Sequence, residues 1–383
     1  MILIKNAHVY APEPLGKQDV LLAGGKIVAV HDSITLTGVE HTVLDREGYT
    51  LMPGLIDNHV HITGGGGEAG YASRVPEIML SEFIGAGITT VVGLLGTDGH
   101  TRTMRDLLAK TKALRAEGMS AYALSGSYQV PVHTFTSSIE DDMLFIDEII
   151  GVGEIALSDH RGSSPTPDEL KKIFSAVHVA GLVSNKGGVM NVHIGSGKDG
   201  LAPLRTLLDS TDLPASKLIP THINRTPSVL EDGIAFAKTH GVPLDLTAYS
   251  HQNDNLSAHQ AFKQMLDDGV NEDRILMSSD GQGSLPVFDA EGRFVTMGIG
   301  RVSALFDNVR RAVIERKIPL EKALKPVTQN VSTLYHLSDK GRIEQGKDAD
   351  ILIIDANLDI HDVFMRGMPM MEAKTRRAKG TFE

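Results

Sequence analysis

Cysteine is absent from this chain of 383 residues. Its absence excludes disulfides, thiolate zinc sites and cysteine nucleophiles. Any metal ion must therefore be bound through nitrogen and oxygen ligands, which suit zinc and its borderline neighbours. Histidine is frequent in contrast, at 16 residues, so nitrogen ligands are abundant.

Excess positive charge and long apolar runs are also absent. The formal net charge of -11 argues against a nucleic-acid surface or an anionic membrane as a partner. No apolar run approaches the length that spans a membrane, and the first five residues lack the layout of a signal peptide. We therefore expect a cytoplasmic enzyme that acts on a small molecule, without a nucleic-acid or membrane partner.

Between about residues 51 and 344, apolar strand-like runs alternate with helical patterns. The eight runs end near residues 61, 94, 125, 157, 193, 222, 247 and 278, and the fourth of them covers residues 154–157. The clearest amphipathic stretches between them are 102–117, 167–181 and 227–240. Eight such units predict an α/β protein with a (β/α)8 TIM-type barrel, in which the chemistry lies at the carboxyl ends of the strands. A doubly wound open sheet is the competing fold, but it does not explain why histidines fall at the ends of the first, fifth and sixth runs.

Both ends of the chain have strand character. The first 50 residues contain short alternating runs, and a Gly-Gly pair between two of them indicates a β-hairpin. The tail returns to strand character over residues 351–367. We therefore predict a small β-sandwich domain made of residues 1–50 and 345–383, attached to a barrel domain of residues 51–344.

The tripeptide His59-Val60-His61 ends the first of the eight runs. Side chains alternate along a strand, so the two histidines point to the same face and form a ready pair of metal ligands. Alone, this spacing is a weak signal, because a histidine in a strand is more often a hydrogen-bonded core residue. Further ligand candidates at the ends of other strands reverse these odds. They are Glu154, His193, His222 and Asp280.

These six side chains can hold two divalent ions, with zinc the preferred metal. A carboxylate between the ions would bridge them and leave a position for hydroxide. Zinc lowers the pKa of its bound water to about 7, which supplies a nucleophile at neutral pH. Asp280 can take the proton from that water and transfer it to the leaving amine.

Several segments resemble known sequence motifs. Residues 55–61 resemble the opening motif of the amidohydrolase superfamily, and residues 341–350 resemble its C-terminal signature. More narrowly, the chain resembles the isoaspartyl dipeptidase family from end to end. The matching segments are residues 64–70, with four glycines before Glu68, and residues 92–98, 158–161, 220–225 and 278–284.

The resemblance implies metal-dependent hydrolysis of dipeptides in which aspartate is joined through its β-carboxyl. Such a substrate carries an α-ammonium and an α-carboxylate beside the scissile amide, and a second carboxylate at its far end. The resemblance also implies a homo-oligomer, an octamer in size.

The same resemblance implies roles for residues around the metals. Glu68 is placed to pair with the substrate ammonium, and Arg161 and Arg225 can each bind a carboxylate bidentately. Tyr128 corresponds to a tyrosine that polarises the scissile carbonyl. The remaining substrate contacts implied by the resemblance are Thr97 and Ser284.

At one position the chain departs from the family. Where the family has a lysine that is carboxylated by carbon dioxide and bridges the metals, this chain has Glu154. A glutamate carboxylate is chemically similar to a carbamate but is on a shorter arm. We expect Glu154 to bridge two metals directly, so that activity does not depend on bicarbonate. A site with one tight and one weak metal is the alternative.

Two other functions compete with this interpretation. A cyclic-amide hydrolase of the hydantoinase or dihydroorotase kind belongs to the same superfamily, but Glu68, Arg161 and Arg225 favour a zwitterionic dipeptide. A catalytically inert scaffold is the second alternative; such relatives normally lack metal ligands, whereas all six positions here carry ligating side chains. Four histidines have no strand-end position and are assigned no role: His100, His133, His160 and His251.

Overall fold

The computed structural model describes residues 1–248, 256–288 and 294–383 of a mixed α/β protein. The strands are β1 (Ile2–Tyr10), β2 (Pro14–Ala23), β3 (Lys26–His31), β4 (Thr42–Asp45), β5 (Thr50–Pro53), β6 (Leu55–Val60), β7 (Ile88–Gly93), β8 (Ser120–Ser125), β9 (Ile149–Leu157), β10 (Val189–Ile194), β11 (Leu218–Thr221), β12 (Leu244–Thr247), β13 (Ile275–Ser278), β14 (Ser284–Phe288), β15 (Phe294–Ile299), β16 (Ile351–Ile354), β17 (Ile360–Met365), β18 (Met368–Glu372) and β19 (Thr375–Arg376). The α-helices are α1 (Leu80–Gly85), α2 (Met104–Ala116), α3 (Ile139–Phe145), α4 (Pro167–Ser184), α5 (Ala202–Asp209), α6 (Pro227–His240), α7 (Ala258–Asp267), α8 (Ala304–Arg316), α9 (Leu320–Leu324) and α10 (Gln329–Leu334).

The predicted alternation of strands and helices is confirmed. Strands β6 to β11 form a six-stranded parallel sheet in chain order, and β12 and β13 form a second parallel pair. The pair meets both edges of the curled six-stranded sheet. At one edge the amide of Ile223 donates to the carbonyl of Asp245 at 3.2 Å, and at the other the amide of His61 donates to the carbonyl of Gly281 at 2.9 Å. The carboxyl ends of all eight strands therefore face the same side.

The helices that separate these strands begin and end at recognisable sequence signals. The predicted stretches 102–117, 167–181 and 227–240 contain α2, most of α4 and all of α6. At the start of α4, Thr166 accepts from the amide of Glu169, the Glu169 side chain accepts from the amide of Thr166, and a proline follows the cap. Apolar side chains such as Phe174 and Val177 bury the inner face of α4. None of the helices in the described residues is long and apolar enough to cross a membrane.

The two ends of the chain form one nine-stranded mixed sheet. Its order is β19-β18-β17-β16-β5-β1-β2-β3, with β4 paired to β1. The predicted Gly-Gly hairpin is confirmed, because Gly24 and Gly25 have φ of 59° and 80° and join antiparallel strands β2 and β3. Strand β16 pairs with β5, so the tail lies beside the segment that leads into β6. This pairing holds the terminal sheet next to the parallel strands that carry the candidate ligands.

Candidate metal centre

The parallel strands bring all six predicted metal ligands together. His59 lies in β6 and His61 directly after it, and His193 is the penultimate residue of β10. His222 and Asp280 follow β11 and β13. The remaining ligand, Glu154, differs from the prediction and is described next.

Glu154 lies inside its strand instead of at its start. The sequence pattern indicated a strand over residues 154–157, whereas β9 begins at Ile149. Gly151 and Gly153 interrupt the apolar pattern in this segment, and glycine weakens a strand signal because it has no side chain to pack. The longer strand places the Glu154 carboxylate among the four histidines.

The Glu154 carboxylate is the centre of the cluster. Its Oε2 lies 3.1 Å from Nδ1 of His193 and 3.4 Å from Nε2 of both His59 and His222. Its Oε1 lies 3.4 Å from Nε2 of His61. Every imidazole of the cluster therefore presents a nitrogen to one carboxylate, which is the arrangement that a bridging ligand requires.

Asp280 closes the cluster on the side of the first two histidines. Its Oδ1 lies 3.1 Å from Nε2 of His61 and 3.8 Å from Nε2 of His59. Two groups have ligand atoms close enough together to share an ion, namely His59, His61 and Asp280, and His59, Glu154 and His222. The two groups overlap at His59, and His193 belongs to neither of them.

Several nitrogen and oxygen atoms of this cluster have no hydrogen-bond partner in the described residues. They are both ring nitrogens of His59, Nδ1 of His61 and Oε1 of Glu154, all of them buried. A buried polar atom without a hydrogen bond costs about 1–3 kcal/mol, so such atoms need another partner. Gly96 leaves space beside them, because a Cβ there would lie 2.7 Å from Cε1 of His61 and 3.6 Å from Oε1 of Glu154. The nitrogen and oxygen atoms that converge here fit a divalent cation of the zinc type.

The electrostatics of the cluster keep both carboxylates ionised. Burial raises the pKa of Glu154 and of Asp280, but the surrounding histidines outweigh burial; the pKa of Glu154 falls well below its usual value and that of Asp280 falls to about 2. Burial lowers the pKa of His59, but Glu154 and Asp280 outweigh it and raise that pKa to about 9. Burial lowers the pKa of His222 to about 3. Ionised carboxylates are what metal binding requires.

Two ligands are held in an unusual backbone conformation. His222 and Asp280 have φ of 64° and 51°, in the left-handed region that costs a residue other than glycine about 1–3 kcal/mol. Neighbouring contacts hold His222 in place, because its Nδ1 lies 2.7 Å from Oγ1 of Thr247. The amide of Thr247 in turn donates to Oδ1 of Asn224 at 2.8 Å. This chain of contacts leaves Nε2 of His222 directed at Glu154.

Three of the predicted substrate contacts, Glu68, Arg161 and Ser284, form a partly exposed group beside the candidate ligands, which we call the mouth. Glu68 Oε1 accepts hydrogen bonds from the hydroxyl of Ser284 and, at 3.3 Å, from NH1 of Arg161. The guanidinium of Arg161 also lies over the ring of Tyr128, 5.4 Å from its centre. The hydroxyl of Tyr128 is 2.9 Å from Nδ1 of His193, which links the mouth to the metal ligands.

The other two predicted contacts are less tightly connected. Arg225 donates from Nε to the carbonyl of Ile194 at 3.0 Å, and it forms no ion pair with a carboxylate of the described residues. Thr97 is half-buried on the loop after β7, and within the described residues its side chain forms no hydrogen bond. The structure therefore does not join Thr97 to the rest of the site.

Three buried acids near the site were assigned no role from the sequence, although two of them lie in the motif segments 55–61 and 158–161. Asp159 bonds both His193 and Arg161. Asp245 lies beneath the histidines and accepts from Thr221 and Ser278 at 2.6 Å each. Burial raises the pKa of Asp57, which lies in the same layer, to about 7. Contacts between separate strands create these environments, so no local pattern reveals them.

The four unassigned histidines stay outside the metal cluster where the structure describes them. The rings of His100 and His133 contact each other with centres 5.1 Å apart, and the side chain of His160 is 92% exposed. His251 lies outside the described residues. Whether residues 285–300 cover the site was left open by the sequence; their described part forms the antiparallel pair β14 and β15.

Known proteins resemble this chain over nearly its whole length. Residues 50–379 match the amidohydrolase family. A crystal structure of the β-aspartyl dipeptidase of the thermophilic keratin degrader Fervidobacterium islandicum AW-1, in complex with the dipeptide β-Asp-Leu, is 42% identical, covers 98% of this chain and 97% of that one, and has a TM-score of 0.92. A second structure of β-aspartyl dipeptidase from that organism is 40% identical over 98% of each chain, with a TM-score of 0.90. A dihydroorotase from Elusimicrobium minutum (strain Pei191) is 25% identical over 93% of this chain and 88% of its own length.

Proposed function

This chain belongs to the amidohydrolase family, and on that basis we propose that it is a metal-dependent dipeptidase that hydrolyses β-aspartyl dipeptides. One observation carries the proposal. A buried cluster of histidines and carboxylates opens onto a mouth where Glu68 and Arg161 present opposite charges, in a chain 42% identical to a β-aspartyl dipeptidase. A β-aspartyl dipeptide carries one ammonium and two carboxylates, so opposite charges at the mouth match it.

We propose a corresponding domain organisation. The eight parallel strands and their helices, residues 51–344, form a (β/α)8 barrel, and residues 1–50 and 345–383 form a β-sandwich domain. The contacts at both edges of the six-stranded sheet support the first assignment, and the joint sheet of both chain ends supports the second. We further expect a cytoplasmic homo-oligomer, octameric in size as in the family.

We propose that the cluster binds two divalent ions, preferably zinc. His59, His61 and Asp280 would hold one ion, His193 and His222 the other, with Glu154 between them. When bound, such ions activate water as a nucleophile at neutral pH. The distances of 3.1–3.4 Å from the Glu154 carboxylate to all four imidazoles support its bridging position.

Asp280 and Tyr128 are the proposed catalytic residues. The carboxylate of Asp280 is ionised, and its Oδ1 lies 3.1 Å from Nε2 of His61. This oxygen can therefore accept the proton of the attacking water and return it to the leaving amine. Burial raises the pKa of Tyr128 well above its usual value, so its phenol keeps its proton. A protonated phenol can donate to the oxygen of the scissile carbonyl as negative charge develops there.

Charges at the mouth would orient the substrate. Glu68 pairs with the α-ammonium, and the guanidinium groups of Arg161 and Arg225 bind the two carboxylates. Ser284, which donates to Glu68, and Thr97 would complete the pocket. Because Arg225 has no carboxylate partner in the described residues, a substrate carboxylate can neutralise it.

Hydrolysis of β-Asp-Leu, compared with α-Asp-Leu and dihydroorotate, tests this function. We expect cleavage of β-Asp-Leu alone, by protein that contains about two metal ions per chain. Glu68→Gln should raise KM about 10- to 100-fold, since a hydrogen bond to a charged group contributes about 1.5–3 kcal/mol. Glu77→Gln, which removes an exposed glutamate from a nearby surface, should leave KM unchanged.

Other outcomes identify the competing functions. Turnover of dihydroorotate or another cyclic amide without cleavage of β-Asp-Leu would replace the dipeptidase with the function of the relatives at about 25% identity. A protein with little metal and no turnover of any of these substrates would support the inert scaffold.

A further inference from the structure

Asp159 lies between a candidate metal ligand and a candidate substrate ligand. Its Oδ2 is 2.9 Å from Nε2 of His193 and 2.7 Å from NH2 of Arg161. Its Oδ1 accepts from both the backbone amide and Nε of Arg161, each at 2.9 Å. The side chain is only 6% exposed. One buried carboxylate therefore accepts four hydrogen bonds that come from two functional residues.

The contact of Asp159 with His193 determines which ring nitrogen carries the proton. Nε2 faces the ionised Asp159, so this nitrogen carries the proton and donates it. Nδ1 then presents its lone pair to the interior, 2.9 Å from the hydroxyl of Tyr128, which can donate to it, and 3.1 Å from Oε2 of Glu154. A carboxylate on the outer nitrogen fixes the ring orientation and raises the basicity of a metal-binding histidine. Asp159 thus prepares His193 to bind a cation on its inner side.

The contact with Arg161 determines where its remaining nitrogen points. Nε and NH2 form a fork on the Asp159 carboxylate, a geometry that leaves little freedom to the guanidinium plane. NH1 stays on the other side and reaches Glu68 at 3.3 Å. The position of the positive charge at the mouth therefore depends on the position of Asp159.

The turn that carries Asp159 is locked against the loop after β10, which begins two residues after His193. The amide of Gly197 donates to the carbonyl of Ser158 at 2.6 Å. A Cβ at Gly195 would lie 2.3 Å from that carbonyl oxygen and 2.7 Å from Cβ of Asp159. Only glycine allows the two segments to approach this closely. The spacing between Asp159 and His193 is thus built into the backbone.

We propose that Asp159 is a positioning residue that couples metal binding to substrate binding, by holding His193 for the metal and Arg161 for a substrate carboxylate at the same time. The substrate half rests on the proposed dipeptidase activity, whereas the metal half rests only on the proposed binding of metal by the cluster. Removal of its charge should therefore weaken both metal retention and substrate affinity.

The test compares Asp159→Asn with Arg161→Lys and with Asp168→Asn, an exposed control on α4. The measured quantities are the zinc retained per chain against a series of chelator concentrations, by elemental analysis, and KM and kcat for β-Asp-Leu at saturating zinc. Asp159→Asn should retain zinc about 10- to 100-fold less tightly, the usual effect of losing such a partner, and should raise KM. Arg161→Lys should raise KM while zinc retention stays normal, and Asp168→Asn should change neither.

Each half of the proposal can fail separately. Normal zinc retention by a folded Asp159→Asn protein would overturn the role toward His193, and an unchanged KM would overturn the role toward Arg161. If Asp159→Asn does not fold, Asp159→Ser, which also removes the charge, replaces it, and the same two quantities decide. If the unmodified protein does not cleave β-Asp-Leu, the proposed function is wrong, while zinc retention still tests the contact with His193.

Discussion

At the scale of single residues, Glu154 lies at the centre of the candidate metal site. Glu154 is completely buried and has all four imidazoles within 3.1–3.4 Å. Its Oε1 has no hydrogen-bond donor in the described residues. The strand itself thus brings this carboxylate among the histidines. A bridge by Glu154, as proposed above, would need no carbon dioxide.

Glu154→Ala should lose metal and lower activity by about a hundredfold or more, since even partners outside the ligand sphere contribute about 10- to 100-fold. Activity of the unmodified protein should not change when bicarbonate is added or removed. Elemental analysis and turnover of β-Asp-Leu measure both effects. Glu148→Ala is the matched control, because Glu148 immediately precedes the first residue of the same strand and forms an ion pair with Lys112. Full metal content in Glu154→Ala would contradict the bridging role.

At the scale of elements, one buried arginine binds the backbone of the glycine-rich loop before Glu68. Arg102, on the loop before α2, donates to the carbonyls of Thr63, Gly65 and Val75. It is only 8% exposed, and no carboxylate pairs with it in the described residues. Its hydrogen bonds therefore go to the backbone of the loop instead of to an acid. These three hydrogen bonds fix the position of the loop that carries Glu68.

Arg102→Lys should raise KM for β-Asp-Leu several-fold and leave the metal content unchanged, because an ammonium cannot reach three carbonyls in the geometry of a guanidinium. Stability should fall by about 1.5–3 kcal/mol, the range for a lost hydrogen bond to a charged group. Steady-state kinetics, elemental analysis and urea unfolding measure these effects. Arg105→Lys, one turn away and exposed, should behave like the unmodified protein. An Arg102→Lys protein with normal KM would show that the loop holds Glu68 in place without the hydrogen bonds of Arg102.

At the scale of the whole molecule, Lys340 ties the terminal sheet to the parallel strands. Its ammonium bonds Asp348 and Asp350, at 2.6 Å each, and the hydroxyl of Ser120 at 2.5 Å. Ser120 begins β8, whereas Asp350 immediately precedes β16. The lysine is 5% exposed. Its removal would leave Asp350 without an ion-pair partner in the described residues, while Asp348 would keep its pair with Lys26 at 2.7 Å.

Lys340→Met should destabilise the protein by about 3–5 kcal/mol, as when one partner of a buried ion pair is removed. Burial lowers the pKa of Lys340, but Asp350 and Asp348 outweigh burial and raise it above 10.5. Because the folded-state pKa is the higher one, the stabilisation is complete below about pH 10 and is lost as the pH rises through that pKa. Urea unfolding at pH 7 and pH 9 should therefore give the same gap between the two proteins, and Lys379→Met, at an exposed site, should give none. A gap that narrows between pH 7 and pH 9 would contradict this account.

Much of the fold and of the site was predictable because the signals are local. The capping residues of α4 and the Gly-Gly turn between β2 and β3 act through neighbours in the chain, so their patterns can be read directly. Histidine and aspartate at strand ends indicated the metal site for the same reason. The predicted start of β9 was wrong because two glycines interrupt its pattern, although pairing with β8 and β10 keeps the segment extended.

By itself, the sequence determined the types of ligand, their order along the chain and the alternation of strands and helices, since each depends on residue chemistry and short-range spacing. Only the tertiary structure decided which groups share a contact. Asp159 contacts His193 where the loops after two separate strands meet, and Thr247 supports His222 from a neighbouring strand. Arg102 binds a loop that lies almost 40 residues earlier in the chain. The physical reason is that hydrogen bonding and burial depend on distance in space, which separation along the chain does not specify.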